Sequence, residues 1–404
     1  MSDASPGKPV ILFGAFDRHN LGDLLLPHIA AALLPGRDLV HAGLARRDMR
    51  PHGGHEVRPL PEVLASLGGS PADLIHVGGE ILTCSAWQAA VMLMSPQQVQ
   101  ATVDFLEARP QERLDWVRRT LGTPALAPYV ASRQRLPGVD RVVHAGVGGV
   151  GLAACDAALR DEVLSALGTA DHVAVRDRLT LSQLTRAGIA AHLIPDPVVM
   201  VADLFGTRID SQARQGETAA TQRIFREGYL AVQFGAEFAD DRSLLRLAAQ
   251  LAMAAASRGL GVVLFRAGAA PWHDDLDALQ RLAARLPSAA VRVFPSLDLW
   301  DLCALVACSR GYVGSSLHGR IVAMAYARPR VSLRLPGPGG GADKVAAFAE
   351  TWDEPGLDHC VDLDDVAQGI VSALVADPER LRRRAAALVD HCRLGFAAIR
   401  CALD

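Results

Sequence analysis

Three ionisable side chains stand where short apolar runs end. In Tyr312-Val313-Gly314-Ser315-Ser316-Leu317-His318-Gly319-Arg320, such a run meets two serines able to cap a helix, so that His318 falls in the first helical turn. A histidine there can donate to an anionic substrate and exchange a proton near neutral pH, with Arg320 as a nearby cation. The plainer alternative is a histidine that bonds a neighbouring backbone group. Arg176, in Val173-Ala174-Val175-Arg176-Asp177, ends another run, where its planar fork can bind a carboxylate or phosphate or merely pair with Asp177. Glu80, in Ile75-His76-Val77-Gly78-Gly79-Glu80, follows a buried run on the rim where catalytic carboxylates sit, or else occupies a solvated loop.

Glycine-bearing turns accompany these residues. Gly14-Ala15-Phe16-Asp17-Arg18-His19-Asn20-Leu21-Gly22-Asp23 joins an apolar run to a helical pattern, and such a loop presents backbone N–H groups at the helix start, with Asp23 as a possible cap. Gly146-Val147-Gly148-Gly149-Val150-Gly151 fits the dinucleotide-binding glycine pattern literally. It lies outside the first strand–helix unit and the acidic residue comes late, so it is weak evidence for a dinucleotide. The glycine-rich stretch Leu335–Lys344 reads as a loop ending in a lysine. That lysine is conspicuous because Lys8 and Lys344 are the only two lysines among 41 basic residues.

Positioning such groups at the ends of apolar runs requires parallel strands. Val/Ile/Leu-rich runs alternate with helical patterns at Val10–Gly14, Leu39–Ala42, Leu74–Val77, Arg141–Ala145, His172–Val175 and His192–Ile194. They do so again at Leu230–Phe234, Gly261–Phe265, Val291–Phe294, Gly311–Val313 and Arg330–Leu333. Two doubly wound, Rossmann-like α/β domains follow: residues 1–205, a polar linker 206–228, residues 229–378, and a C-terminal helix 379–404 that can pack back across one of them. Their carboxyl strand ends are expected to face one cleft.

A length of 404 residues with 50% hydrophobic and 21% charged residues excludes a disordered chain or a small disulfide scaffold. A net charge of −3, with no basic run beyond Arg380-Leu381-Arg382-Arg383-Arg384, which reads as a solvated face of a terminal helix, gives no footprint for nucleic acid. No signal segment and no clean apolar span appear, so a cytoplasmic protein without a membrane span is expected. The cysteines at 84, 155, 303, 308, 360, 392 and 401 show no paired spacing for zinc or disulfides, and no metal site is expected.

Taken in order, these pieces resemble the polysaccharide pyruvyl transferase family. The resemblance rests on Gly14 to Asp23, Gly78-Gly79, Gly146-Val147-Gly148, Val175-Arg176-Asp177, Pro195-Asp196-Pro197, Ser316-Leu317-His318-Gly319 and Lys344. It implies a GT-B-like pair of Rossmann-type domains without metal or cofactor, moving an enolpyruvyl unit from phosphoenolpyruvate to a saccharide or metabolite acceptor as a pyruvate ketal. Carried over residue by residue, it implies His318 and Leu317 as donor-site residues, Arg176 as a donor-anion contact, and Lys344 and the Asn20–Asp23 loop as lining of the cleft; the needs of that reaction then add His318 with Glu80 or Asp23 as catalytic residues, and Ser316, Arg320 and Lys344 as donor contacts. Asn20, Gly22, Gly78 and Gly79 would form the cleft loops. Two positions depart from the family: Ser316 stands where arginine is common, and Glu80 replaces a third glycine. A changed donor, a nucleotide-sugar glycosyltransferase of GT-B type and a non-catalytic binding protein are the alternatives, and oligomerisation is left open.

Overall fold

The computed structural model describes residues 8–334, 343–356 and 360–404, so most of the glycine-rich stretch before Lys344 lies outside the described residues. Two sheets carry the chain. The first contains β1 (Val10–Phe13), β2 (Leu39–Gly43), β3 (Arg47–Asp48), β4 (Glu56–Pro59), β5 (Ala72–Val77), β6 (Val139–Val147), β7 (His172–Val175) and β8 (His192–Leu193), in the order β3-β4-β2-β1-β5-β6-β7-β8. The second contains β9 (Tyr229–Gln233), β10 (Gly261–Leu264), β11 (Val291–Val293), β12 (Gly311–Gly314), β13 (Arg330–Leu333) and β14 (Cys360–Val361), in the order β11-β10-β9-β12-β13-β14. Among the described strands, only β3 and β4 pair antiparallel.

All eleven expected strands are present. β3, β4 and β14 were not expected: each is two to four residues long, with β3 and β14 at sheet edges and β4 next to one, between β3 and β2. So short a strand at the rim of a sheet needs no continuous apolar run, and in Glu56-Val57-Arg58-Pro59 only Val57 is buried. The buried strands pack under helices in two separate cores, one around Ile11, Leu74, Val142 and Val175 and the other around Leu230, Val262, Val313 and Val331.

Strand order reverses between β1 and β5 in one sheet and between β9 and β12 in the other. At such a switch point the connections run to opposite faces and leave a crevice at the carboxyl ends. The loops after these four strands are therefore the places for chemistry.

The chain forms two compact units. One holds residues up to His19, Asp23–Pro197 and His391–Asp404, and the other holds Asn20–Gly22 and Val198–Asp390. The division falls directly after Pro195-Asp196-Pro197. Residues 206–228, expected as a linker, are mostly the helices Val201–Ala213 and Gly216–Ile224, whose Ile209, Thr218 and Thr221 are buried. The expected C-terminal helix is present as Pro378–Leu403, its first part in the second unit and its last part in the first. All seven cysteines are free thiols.

Several charges and histidines are buried. Lys8 has Nζ 2.6 Å from Oδ1 of the fully buried Asp73 on β5. On adjacent strands β5 and β6, His76 and His144 stack with ring centroids 4.0 Å apart and planes 4° from parallel. The backbone N–H of Ala131 donates to His76 Nε2 at 2.9 Å, which requires an unprotonated nitrogen there. Burial lowers the pKa of His76 to about 3 and that of His144 well below its ordinary value.

These histidines stay neutral in the fold but protonate near pH 6.5 when unfolded. Below that pH the unfolded state binds more protons, so stability is lost as pH falls from about 6.5. Urea unfolding between pH 7.5 and 5 should show a steep acid-side loss, and His144→Leu should reduce its slope by about 1.4 kcal/mol per pH unit. An unchanged slope in that variant would remove the neutral pair as its source.

Candidate functional site

In the first unit, β5 ends at Val77 and Gly78 and Gly79 turn the chain with φ of +59° and +78°, a region that side chains with a Cβ rarely enter. A Cβ on Gly79 would lie 3.5 Å from Asp23 Oδ1, so Asp23 sits beside this turn. The turn delivers Glu80. Its Oε1 accepts from the Val150 N–H at 2.8 Å, and its Oε2 accepts from Arg176 Nη2 at 2.5 Å. Arg176 Nη1 donates to Asp196 Oδ2 at 2.8 Å.

Arg176 is 1% exposed and Asp196 fully buried, so both terminal nitrogens of the guanidinium are engaged by carboxylates. The expected donor-anion contact is thus an internal clamp: a guanidinium taken out of water must keep its carboxylates. It also holds Glu80, whose side chain remains 22% exposed. The 146–151 glycine pattern serves the same clamp. A Cβ on Gly148 would come within 2.2 Å of Glu80 Oε2 and 2.7 Å of Arg176 Nε. Asp177 caps the helix Arg178–Arg186 by accepting from the Thr180 N–H at 2.7 Å, and burial raises its carboxyl pKa.

A second network fixes the loop after β1. Arg18 Nη2 lies 3.5 Å from Asp23 Oδ2, and Arg18 Nη1 donates to the Tyr129 hydroxyl at 3.1 Å. That hydroxyl donates to Asp17 Oδ1 at 3.1 Å, while Asp17 Oδ2 accepts from the Leu44 and Ala45 N–H groups. Asp23 is 7% exposed and acts as an ion-pair partner within this network. Arg18, Tyr129 and Asp17 were not singled out from sequence; Tyr129 lies 111 residues from Arg18, with no local pattern to mark it.

In the second unit, Ser316 caps the helix Leu317–Ala325 by accepting from the Gly319 N–H at 3.2 Å. His318 lies in the first turn, 9% exposed, and Leu317 is buried in the core. The imidazole packs directly on the N-terminal glycine loop: a Cβ on Gly22 would lie 1.9 Å from His318 Nδ1. Asn20 Oδ1 accepts from the Gly22 N–H at 3.1 Å, Asn20 bridges Gly268, and the Leu21 N–H donates to the Ala267 carbonyl at 2.7 Å. Glycine at 22 is therefore demanded by close approach, and Asn20 and Leu21 hold it there.

The other side of the site hangs on two residues that sequence reasoning missed. Gln233, the last residue of β9, accepts at Oε1 from the Ser316 N–H at 2.8 Å and from the Tyr312 hydroxyl at 3.2 Å. Its Nε2 donates to Asp274 Oδ1 at 2.7 Å, and Asp274 Oδ2 accepts from the Ala267 N–H at 2.6 Å and the Gly268 N–H at 3.3 Å. Asp274 is therefore surrounded by donors that suit a carboxylate, although burial raises its pKa to about 7.

Two further expected donor contacts belong to this unit. Arg320 is 0% exposed; it donates to Ser332 Oγ at 2.8 Å and pairs with buried Asp353, which Arg330 also engages. It is a core ion pair with no face for a ligand. Lys344 is exposed at the first position of the helix Lys344–Trp352, capped by Asp343 rather than by the His318 segment. The expected residues thus fall into two sets, with Asn20, Gly22, Ser316, Leu317 and His318 together in one unit and Asp23, Gly78, Gly79, Glu80 and Arg176 in the other.

Two Rossmann-like parallel-sheet units with polar groups at their switch points define an α/β protein of GT-B-like fold. The solved UDP-GlcNAc 2-epimerase of Neisseria meningitidis bound to UDP-GlcNAc aligns with a TM-score of 0.50 at 13% identity, covering 98% of this chain and 99% of that one. The Methanocaldococcus jannaschii UDP-GlcNAc 2-epimerase in complex with UDP-GlcNAc and UDP gives 0.52 at 11% identity, covering 92% and 94%. At these identities the likeness is one of fold. The family model for polysaccharide pyruvyl transferase matches residues 20–335, and the chain belongs to that family. No curated protein sequence matches the chain. Among the described residues, no group of three or more His, Cys, Asp or Glu is placed to hold a metal ion, and no helix is long and apolar enough to cross a membrane.

Replacing Gly22 by Ala forces the His318 ring to move while leaving both cores intact. The variant should unfold within a few degrees of wild type, yet its His318 imidazole signals should shift by NMR. Unchanged signals would disprove the packing of His318 on Gly22.

Proposed function

We propose that this protein transfers the enolpyruvyl unit of phosphoenolpyruvate to two hydroxyls of a saccharide or related acceptor, forming a pyruvate ketal and releasing phosphate. Family membership supports the reading, and the observation that carries it is the seat of His318. The ring lies in the first turn of a helix at the carboxyl end of β12, backed by Gly22 and held by a capped, hydrogen-bonded serine.

The chemistry asks for one proton donor and a place for two anionic groups. His318, as imidazolium, gives its proton to the methylene carbon of the donor, and C2 becomes an oxocarbenium centre. The first acceptor hydroxyl adds there, its proton passing to the now neutral imidazole. A second hydroxyl then displaces phosphate from the same carbon, and its proton leaves with the phosphate. The first backbone N–H groups of the helix add positive potential where anionic charge gathers. In the other unit, Glu80 is an oriented carboxylate, fixed by Arg176 and the Val150 N–H and still partly exposed, fitted to accept a hydrogen bond from a sugar hydroxyl.

His318→Ala should reduce pyruvyl transfer by at least about a hundredfold, the ordinary worth of a general acid, with an unchanged unfolding midpoint. The assay is release of inorganic phosphate from phosphoenolpyruvate in the presence of candidate saccharides. Full activity in that variant would overturn His318 as the acid. Thermal stabilisation by UDP-GlcNAc and not by phosphoenolpyruvate would overturn the donor.

A further inference from the structure

The donor carries a phosphate and a carboxylate, yet the two arginines nearest the family motifs are spoken for by Glu80, Asp196 and Asp353. Within the second unit, most other arginines near a sheet are also engaged: Arg330 by Asp353, Arg292 by Glu217 and Arg334 by Asp362. Arg266 differs. It is half-buried just past the carboxyl end of β10, and it makes no hydrogen bond or ion pair with any described residue.

Its place in the chain ties it to His318. The next residue, Ala267, accepts the Leu21 N–H through its carbonyl at 2.7 Å, and Gly268 bridges Asn20. One residue beyond Leu21 is Gly22, on which the His318 ring rests. Only one backbone pairing and one packing contact therefore separate the Arg266 segment from the imidazole. The segment is rigid, because Asp274 Oδ2 accepts from both Ala267 and Gly268 while its Oδ1 takes the amide of Gln233, which in turn holds Ser316.

We infer that Arg266 is the cation that binds the phosphate-bearing donor in this protein, and that Asp274 and Gln233 form the frame that keeps Arg266 and His318 at a fixed spacing. The inference rests on the proposed reaction for the identity of the donor, not for the presence of an anion site. The frame leaves the guanidinium as the one uncommitted member of the set: the Asp274 carboxylate is spent on three donors, so it does not neutralise Arg266. A guanidinium with no carboxylate partner among the described residues suits a divalent anion better than a neutral sugar.

The test is calorimetric titration of phosphoenolpyruvate and, separately, inorganic phosphate into wild type, Arg266→Gln, Arg266→Lys and Asp274→Asn. Arg266→Gln should weaken binding of both ligands at least tenfold with an unchanged unfolding midpoint, and Arg266→Lys should recover part of the loss. His318 imidazole signals should stay in place in Arg266→Gln and move in Asp274→Asn, which a merely structural Asp274 remote from His318 would not cause. Phosphate binding that depends on Arg266 without any binding of phosphoenolpyruvate would support the anion site and overturn the pyruvyl donor. Equal binding by wild type and Arg266→Gln, or no binding of either ligand to wild type, would overturn the assignment of Arg266.

Discussion

A guanidinium moved out of water costs several kcal/mol unless carboxylates move with it. That constraint organises both units of this protein. In the first, Arg176 draws Glu80 from the end of β5 and Asp196 from beyond β8 onto one point, and Gly148 is small because the clamp fills the space a side chain would need. In the second, Asp353 gathers Arg320 from the His318 helix and Arg330 from β13. Each clamp fastens side chains from segments far apart in the sequence.

The same constraint sorts arginines into those that hold the fold and those that can meet a ligand. Arg176 and Arg320 lie beside motif residues and invite a ligand-binding reading from sequence. Their burial shows that the neighbouring motif residues are what they serve. The helix bearing His318 keeps its register because Arg320, two residues on, is anchored in the core, while Gln233 and Ser316 hold its first turn. His318 is thus braced from below by an ion pair and from the side by hydrogen bonds, the kind of support that keeps a reacting group within a narrow range of geometry.

Much of this architecture is legible in the chain. Continuous Val/Ile/Leu runs mark the central strands because a parallel strand buried on both faces has no polar side to show. The short strands β3, β4 and β14 carry no such mark. Among the site residues, Ser316, His318 and Gly22 are readable, since a cap, a first helical turn and a glycine at a loop each have a local signature. What stays hidden is partnership at long range. Gln233 looks like the polar end of a strand, and Asp274 like one acidic residue of an Asp-Asp pair in a loop. Their joint role appears only when β9, β10 and β12 lie side by side. The 206–228 stretch misleads for a related reason: its polar residues clothe two helices whose few buried side chains are enough to dock them.

Lysine poverty acquires a practical meaning from the way the two lysines are placed. Lys8 is held against Asp73 with only 27% of its side chain exposed, whereas Lys344 stands open to solvent at the start of its helix. Acylating reagents, which need an accessible amine, therefore meet a side-chain surface almost devoid of targets apart from one. A fluorophore or cross-linker attached through amine chemistry would report from Lys344 on the second unit and from the α-amino terminus, without any cysteine having to be removed or introduced.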